Sequence, residues 1–133
     1  MRTIEEKIIE TLRGCSGEGV KKLSCRDRVV FYQNKVKYYL CNNLLFWNDS
    51  ENEYCFTGRG FCSLTTKNRL NTILNAFFDA SITQKNYKWV LNWNNQNYSI
   101  NETNIYCIKN HKLYKKSFKN LSSVVEVLPI ENN

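Results

Sequence analysis

The sequence predicts an α+β fold in which antiparallel sheet packs on a central amphipathic helix, with a short second helix at the N-terminus. Three observations predict it. Leu70, Ile73, Leu74, Phe77 and Phe78 recur at the spacing of one apolar helical stripe within residues 65–79. β-Branched and aromatic runs lie on both sides of that stretch. Asn-rich breaks divide these runs, and Asn tolerates the positive φ that tight hairpin turns need.

In chain order, Thr3-Ile4-Glu5-Glu6 has the form of a capping box, and Ile4, Ile8, Ile9 and Leu12 follow on one face, which predicts a helix over 4–13 ending at Gly14. Residues 14–24, with Gly14, Ser16, Gly17, Gly19 and Ser24, read as a flexible connector. Runs at 29–32, 36–41, 44–47 and 54–56 then form an antiparallel meander, and Gly58-Arg59-Gly60 makes a tight bend. The central helix covers 66–79, with Thr65 or Thr66 supplying the N-cap oxygen. A second set of antiparallel strands follows at 87–93, 98–100 and 104–108, with Tyr87, Trp89, Leu91 and Trp93 on one face of the first. Residues 109–120 are basic and polar, and 124–128 add a last strand before Pro129. No repeat or long linker divides the chain, so one domain is expected over 1–133.

Hydrophobic residues make up 42% of the chain and aromatics 14%, with one Pro and five Gly, a globular rather than a disordered composition. The start lacks the apolar segment of a signal peptide and no run reaches the length of a membrane span, which places the protein in a cytoplasm with no membrane partner. In a reducing compartment the six cysteines are expected as thiols. The net charge of +7 is uneven. Residues 80–125 carry seven bases against the single acid Glu102, and such a half attracts phosphate backbone or an acidic protein surface.

Cys15, Cys25, Cys41, Cys55, Cys62 and Cys107 never form C-x-x-C, and His111 is the one histidine, so neither metal nor cofactor is expected. Cys41, Cys55 and Cys107 read as small buried residues on strands. No spacing ties His111 to a Ser, Cys or Asp, and Asp27, Asp49 and Asp79 fall where turns or caps explain them; catalytic residues are not assigned, and an enzyme would have to assemble its site from distant positions. Two binding constellations stand out. Arg59, Thr65, Thr66, Lys67 and Arg69 surround a helix N-terminus, where free N–H groups favour an anion, although a threonine cap with Lys67 and Arg69 on a solvated face accounts for the same pattern. Lys109, His111, Lys112, Tyr114, Lys115, Lys116 and Lys119 interleave bases with an aromatic ring, as do Lys35-Val36-Lys37-Tyr38-Tyr39 and Lys85-Asn86-Tyr87-Lys88-Trp89. Such pairs hold single-stranded nucleic acid, or anchor a protein interface, provided the rings face outward.

The order Asp27-Arg28-Val29-Val30, Asn34-Lys35-Val36, a strand ending at Asn42-Asn43, then Thr65-Thr66-Lys67-Asn68-Arg69-Leu70-Asn71 resembles small phage-encoded proteins that carry a T-T-K-x-R-[LI]-N signature after a short β meander. The likeness covers about residues 27–75, with Gly60-Phe61 standing where that group has glycine and tryptophan. It carries over no catalytic residues. It implies a virus or mobile element acting inside a bacterium, and by analogy of class with inhibitors of CRISPR effectors it implies a non-enzymatic protein that blocks a host defence protein or ribonucleoprotein complex. The alternative is a protein binding single-stranded DNA or RNA in phage replication or expression, and a hidden enzyme is the third reading.

Overall fold

The computed structural model describes residues 2–14, 16–50, 52–59, 63–86, 88–117 and 123–130. Helix α1 (Ile4–Gly14) begins as its capping box requires, with Thr3 Oγ1 accepting the Glu6 N–H at 3.2 Å. Strands β1 (Gly19–Lys22), β2 (Asp27–Tyr32), β3 (Lys35–Leu40), β4 (Asn43–Ser50) and β5 (Glu53–Thr57) follow as an antiparallel meander. β1 lies within the stretch read as a connector. Its glycine suits a close approach, because a Cβ on Gly19 would stand 3.0 Å from the tip of the Phe31 ring.

Helix α2 (Leu64–Phe78) starts earlier than its apolar stripe suggests. Its N-cap is Ser63, whose Oγ accepts the Thr66 N–H at 3.1 Å, so neither Thr65 nor Thr66 is the cap. The helix ends as Asp79 turns left-handed (φ 55°) and donates its N–H to Asn75 O, with Ala80 donating to Leu74 O.

Beyond α2 the strands divide between two sheets. β6 (Ser81–Lys85), β7 (Lys88–Trp93) and β8 (Gln96–Ile100) form a small antiparallel sheet of their own. β9 (Ile105–Lys109) instead returns to pair with β5, and β10 (Lys112–Lys116) and β11 (Val124–Glu126) extend the long sheet to the order β1-β2-β3-β4-β5-β9-β10-β11. Strands β6 and β10 fall outside the predicted runs: β6 is short and mostly exposed, and β10 is lysine-rich, so neither shows an apolar alternation.

A main core joins these pieces. Ile8 and Leu12 of α1 and Leu70, Ile73 and Leu74 of α2 meet Val29, Tyr38, Phe46, Phe56 and Ile108 from one face of the long sheet. Trp89, Leu91 and Trp93 close it from the small sheet, and Tyr87 of the same predicted face lies outside the described residues. A second, smaller cluster of Cys55, Ile105 and Cys107 with Trp47 and Tyr114 lies on the other face of the long sheet. The fold is α+β but sheet-rich, and α2 does not serve as the slab beneath all the strands. It lies against α1 and β6, and its Phe77 and Phe78 are half-buried around Tyr54, with ring centroids 6.0 and 5.5 Å away.

Candidate functional site

Strand alternation sorts the side chains of the long sheet onto two faces. Val29, Tyr38, Phe46, Phe56, Tyr106 and Leu113 enter the core. Their neighbours in sequence point the other way, and on β2 and β3 these are Arg28, Val30 and Tyr32 paired with Tyr39, Lys37 and Lys35. All six are half-buried, as expected of a face open to solvent. Register continues the face across the sheet: Lys37 lies opposite Trp47, Trp47 opposite Cys55, Cys55 opposite Cys107, and Cys107 opposite Tyr114, but its middle is covered, because Cys55, Ile105 and Cys107 are buried there with Trp47 and Tyr114 packed against them. Lys109 and Lys112 face each other at the end of the β9–β10 hairpin. From β2 to β10 this spans five strand intervals, roughly 24 Å at about 4.8 Å each.

Bases and rings interleave on this face. The Arg28 guanidinium lies 4.5 Å from the centroid of the Tyr39 ring, and Lys37 Nζ lies 5.5 Å from that of Tyr32. Lys112 pairs with Glu126 at 3.7 Å, an exposed contact of little energetic weight. Lys116 pairs with Glu53 at 3.2 Å in a more sheltered position. Burial there works against the Lys116 charge, but the Cys107 sulfur, the Glu53 hydrogen bond and Cys55 outweigh it and raise the pKa above the ordinary lysine value.

The basic segment read from the sequence is therefore not one patch. Lys109, Lys112, Tyr114 and Lys116 share the open face, whereas Lys115 lies opposite Tyr106 and takes the other direction. His111 is a turn residue at φ 60°, and Lys119 lies outside the described residues. Lys35, Lys37 and Tyr39 come from the second run the sequence offered, whereas Arg28 and Trp47 are members it did not single out. Their alternation is legible, but the return of β9 to β5, which makes them neighbours of Lys109 and Lys112, leaves no local signal.

The anion site at the start of α2 does not assemble. Arg69 is buried and occupied: its Nε donates to Asp27 Oδ1 at 2.8 Å, and its Nη1 stands 3.6 Å from Glu5. Thr66 is buried, Thr65 and Lys67 are half-buried, and Arg59 is exposed at φ 55° in the loop after β5. A cavity of about 280 Å³ beside Ser63 brings together Thr65 and Thr66 of the predicted set with Arg26, Leu40, Cys41 and Leu45, but Arg59, Lys67 and Arg69 do not line it. The solvated-face alternative fails for Arg69 as well.

Asp27 is likewise more than a turn residue. It is 1% exposed and also accepts hydrogen bonds from Tyr38 Oη and, at 2.6 Å, from Ser24 Oγ. Burial alone would raise its pKa, yet hydrogen bonds from Arg69, Ser24 and Tyr38 hold it below the ordinary carboxylate value. The same contact and burial push Tyr38 up. Of the cysteines, Cys55 and Cys107 are buried as predicted, but Cys41 is exposed at φ 50° in the β3–β4 turn. Cys15 and Cys62 lie outside the described residues.

A family profile described as Kyanoviridae Gp96 protein matches residues 1–124. The chain belongs to this family of phage proteins. The phage origin implied by the resemblance is thereby borne out. No curated protein and no solved structure matches the chain. Among the described residues, no helix is long and apolar enough to cross a membrane.

Proposed function

We propose that this member of the Gp96 family works as a non-enzymatic binding protein and holds single-stranded nucleic acid on the outer face of its long sheet, along the bases and rings that flank the buried Cys55–Cys107 cluster. One observation carries the reading: strand register gathers Arg28, Lys35, Lys37, Lys109 and Lys112 onto the same face as Tyr39, Trp47 and Tyr114. Cations spaced along such a face follow a phosphate backbone, and rings or a stacked guanidinium offer flat surface to bases. The face is broad enough for several nucleotides and, being built on paired strands, it is rigid before ligand arrives.

Phage membership favours a second reading. Acting inside an infected cell, the same face would engage the nucleic-acid component of a host defence complex, a CRISPR effector in the sharpest form of the idea, and block it stoichiometrically.

Binding of a fluorescent single-stranded oligonucleotide, read by anisotropy against salt, tests the first reading. Affinity should fall with log salt at a slope of about −0.7 per phosphate neutralised. Lys37→Glu, Lys109→Glu and Lys112→Glu together should weaken binding and make that slope shallower by roughly two. Unchanged affinity and slope would refute the assignment. A host protein that stays bound after nuclease treatment would favour the second reading.

A further inference from the structure

We propose that Glu53, Cys55 and Cys107 form a binding site for a thiophilic d¹⁰ divalent ion of the Zn²⁺ class on the outer face of the long sheet. The two cysteines come from distant parts of the chain and lie directly opposite each other across β5 and β9. Both sulfurs and a Glu53 carboxylate oxygen lie within 4.8 Å of one another. Tetrahedral zinc, with bonds of about 2.3 Å to sulfur and about 2.1 Å to oxygen, sets its sulfur and oxygen ligands about 3.6 Å apart and its two sulfurs about 3.8 Å apart. Cys55 Sγ and Glu53 Oε1 stand 4.0 Å apart, so small rotamer adjustments bring the set into register.

The donor chemistry agrees with the geometry. Two thiolates and a carboxylate suit zinc and leave a fourth position for water or an added ligand. Lys116, with its ammonium 3.2 Å from Glu53, shows that the cluster already draws a cation, and its flexible side chain can leave. Glu53 and Lys116 side chains are each 18% exposed, whereas Cys55 and Cys107 are 0% and 1% exposed, so an ion enters past the acid–base pair. On binding, two S–H bonds break, two metal–sulfur bonds and one metal–oxygen bond form, both protons pass to solvent, and no group is oxidised or reduced. The absence of C-x-x-C is no obstacle, because strand pairing supplies the proximity that a short spacing supplies elsewhere.

Titration of the reduced full-length protein with Cd²⁺, without nucleic acid, tests this independently of the proposed function. One equivalent should produce a saturable thiolate-to-metal absorption in the ultraviolet, which Zn²⁺ then displaces. Cys107→Ser should lose it, while Cys41→Ser, an exposed turn position, should keep it. Glu53→Gln should weaken Cd²⁺ about ten- to a hundredfold, at least the cost of losing an outer-shell partner. Lys116→Met, which removes the competing cation, should tighten it. Circular dichroism reports whether each variant folds, and if Cys107→Ser does not, the Glu53 and Lys116 variants decide. No band, a band that survives in folded Cys107→Ser, or affinities that neither Glu53→Gln nor Lys116→Met moves would overturn the site.

Discussion

Arg69 sits on α2 where the spacing of Thr66, Leu70 and Ile73 turns side chains toward the core, so docking the helix strips water from its guanidinium. That cost is offset only because Asp27 meets it, with Tyr38 and Ser24 completing the carboxylate's hydrogen bonds. Asp27→Asn leaves Arg69 with only the half-exposed Glu5 as an anionic partner and should cost about 3–5 kcal/mol, the range for a buried pair broken on one side. The pH dependence has a definite sign. Because the folded state holds Asp27 below its ordinary value of 3.8, its contribution is present above that value and is lost as pH falls through the lower folded one. Chemical denaturation at neutral and acid pH should show Asp27→Asn with both a lower midpoint and a flatter acid limb. A variant as stable as the parent would remove this pair from the account. The sequence carried a hint of it: a charge on an apolar helical stripe demands a buried partner, and Asp27 lies in the same stretch that resembles phage proteins. Nothing in the spacing said which acid.

At the scale of elements, Asn71 explains why α2 lies against β6. Its Nδ2 donates to Ile82 O at 3.0 Å and its Oδ1 accepts the Ile82 N–H, so one side chain does for β6 what a neighbouring strand would do. Asn71→Ala should orphan both groups, lower stability by about 1–3 kcal/mol and speed hydrogen exchange at the Ile82 amide. Exchange at Ile82 equal to that of the parent would contradict the clamp. Together, Thr66 against its cap, Arg69 on Asp27, Leu70 in the core and Asn71 on β6 give residues 66–71 a fold-holding role, and Arg69 is spent on it. Hairpins were the most legible elements. Gln33-Asn34, Cys41-Asn42, Asn94-Asn95 and Asn110-His111 all adopt positive φ at both turn positions, the two-residue geometry that asparagine tolerates. β10 escaped because its buried Leu113 stands among lysines, and β1 because its pairing with β2 rests on backbone bonds more than on burial.

For the whole molecule, strand pairing decides what the surface offers. Local pattern gave the meander, both helices and most of the later strands; the pairing of β5 with β9 across α2 and the small sheet is non-local and left no mark in composition. That pairing sets the bases of β2 and β3 and those of β9 and β10 on one side of the long sheet, on either side of the buried cluster of Cys55, Ile105 and Cys107 that Trp47 and Tyr114 cover. Nucleic acid bound along this face would lie against Tyr39, Trp47 and Tyr114. Ultraviolet crosslinking of the protein to a single-stranded oligonucleotide, with the attached residues located by mass spectrometry, tests that placement most directly. Crosslinks are predicted at Tyr39, Trp47 and Tyr114. Crosslinks confined to α1, α2 or the small sheet, or none at low salt, would contradict it.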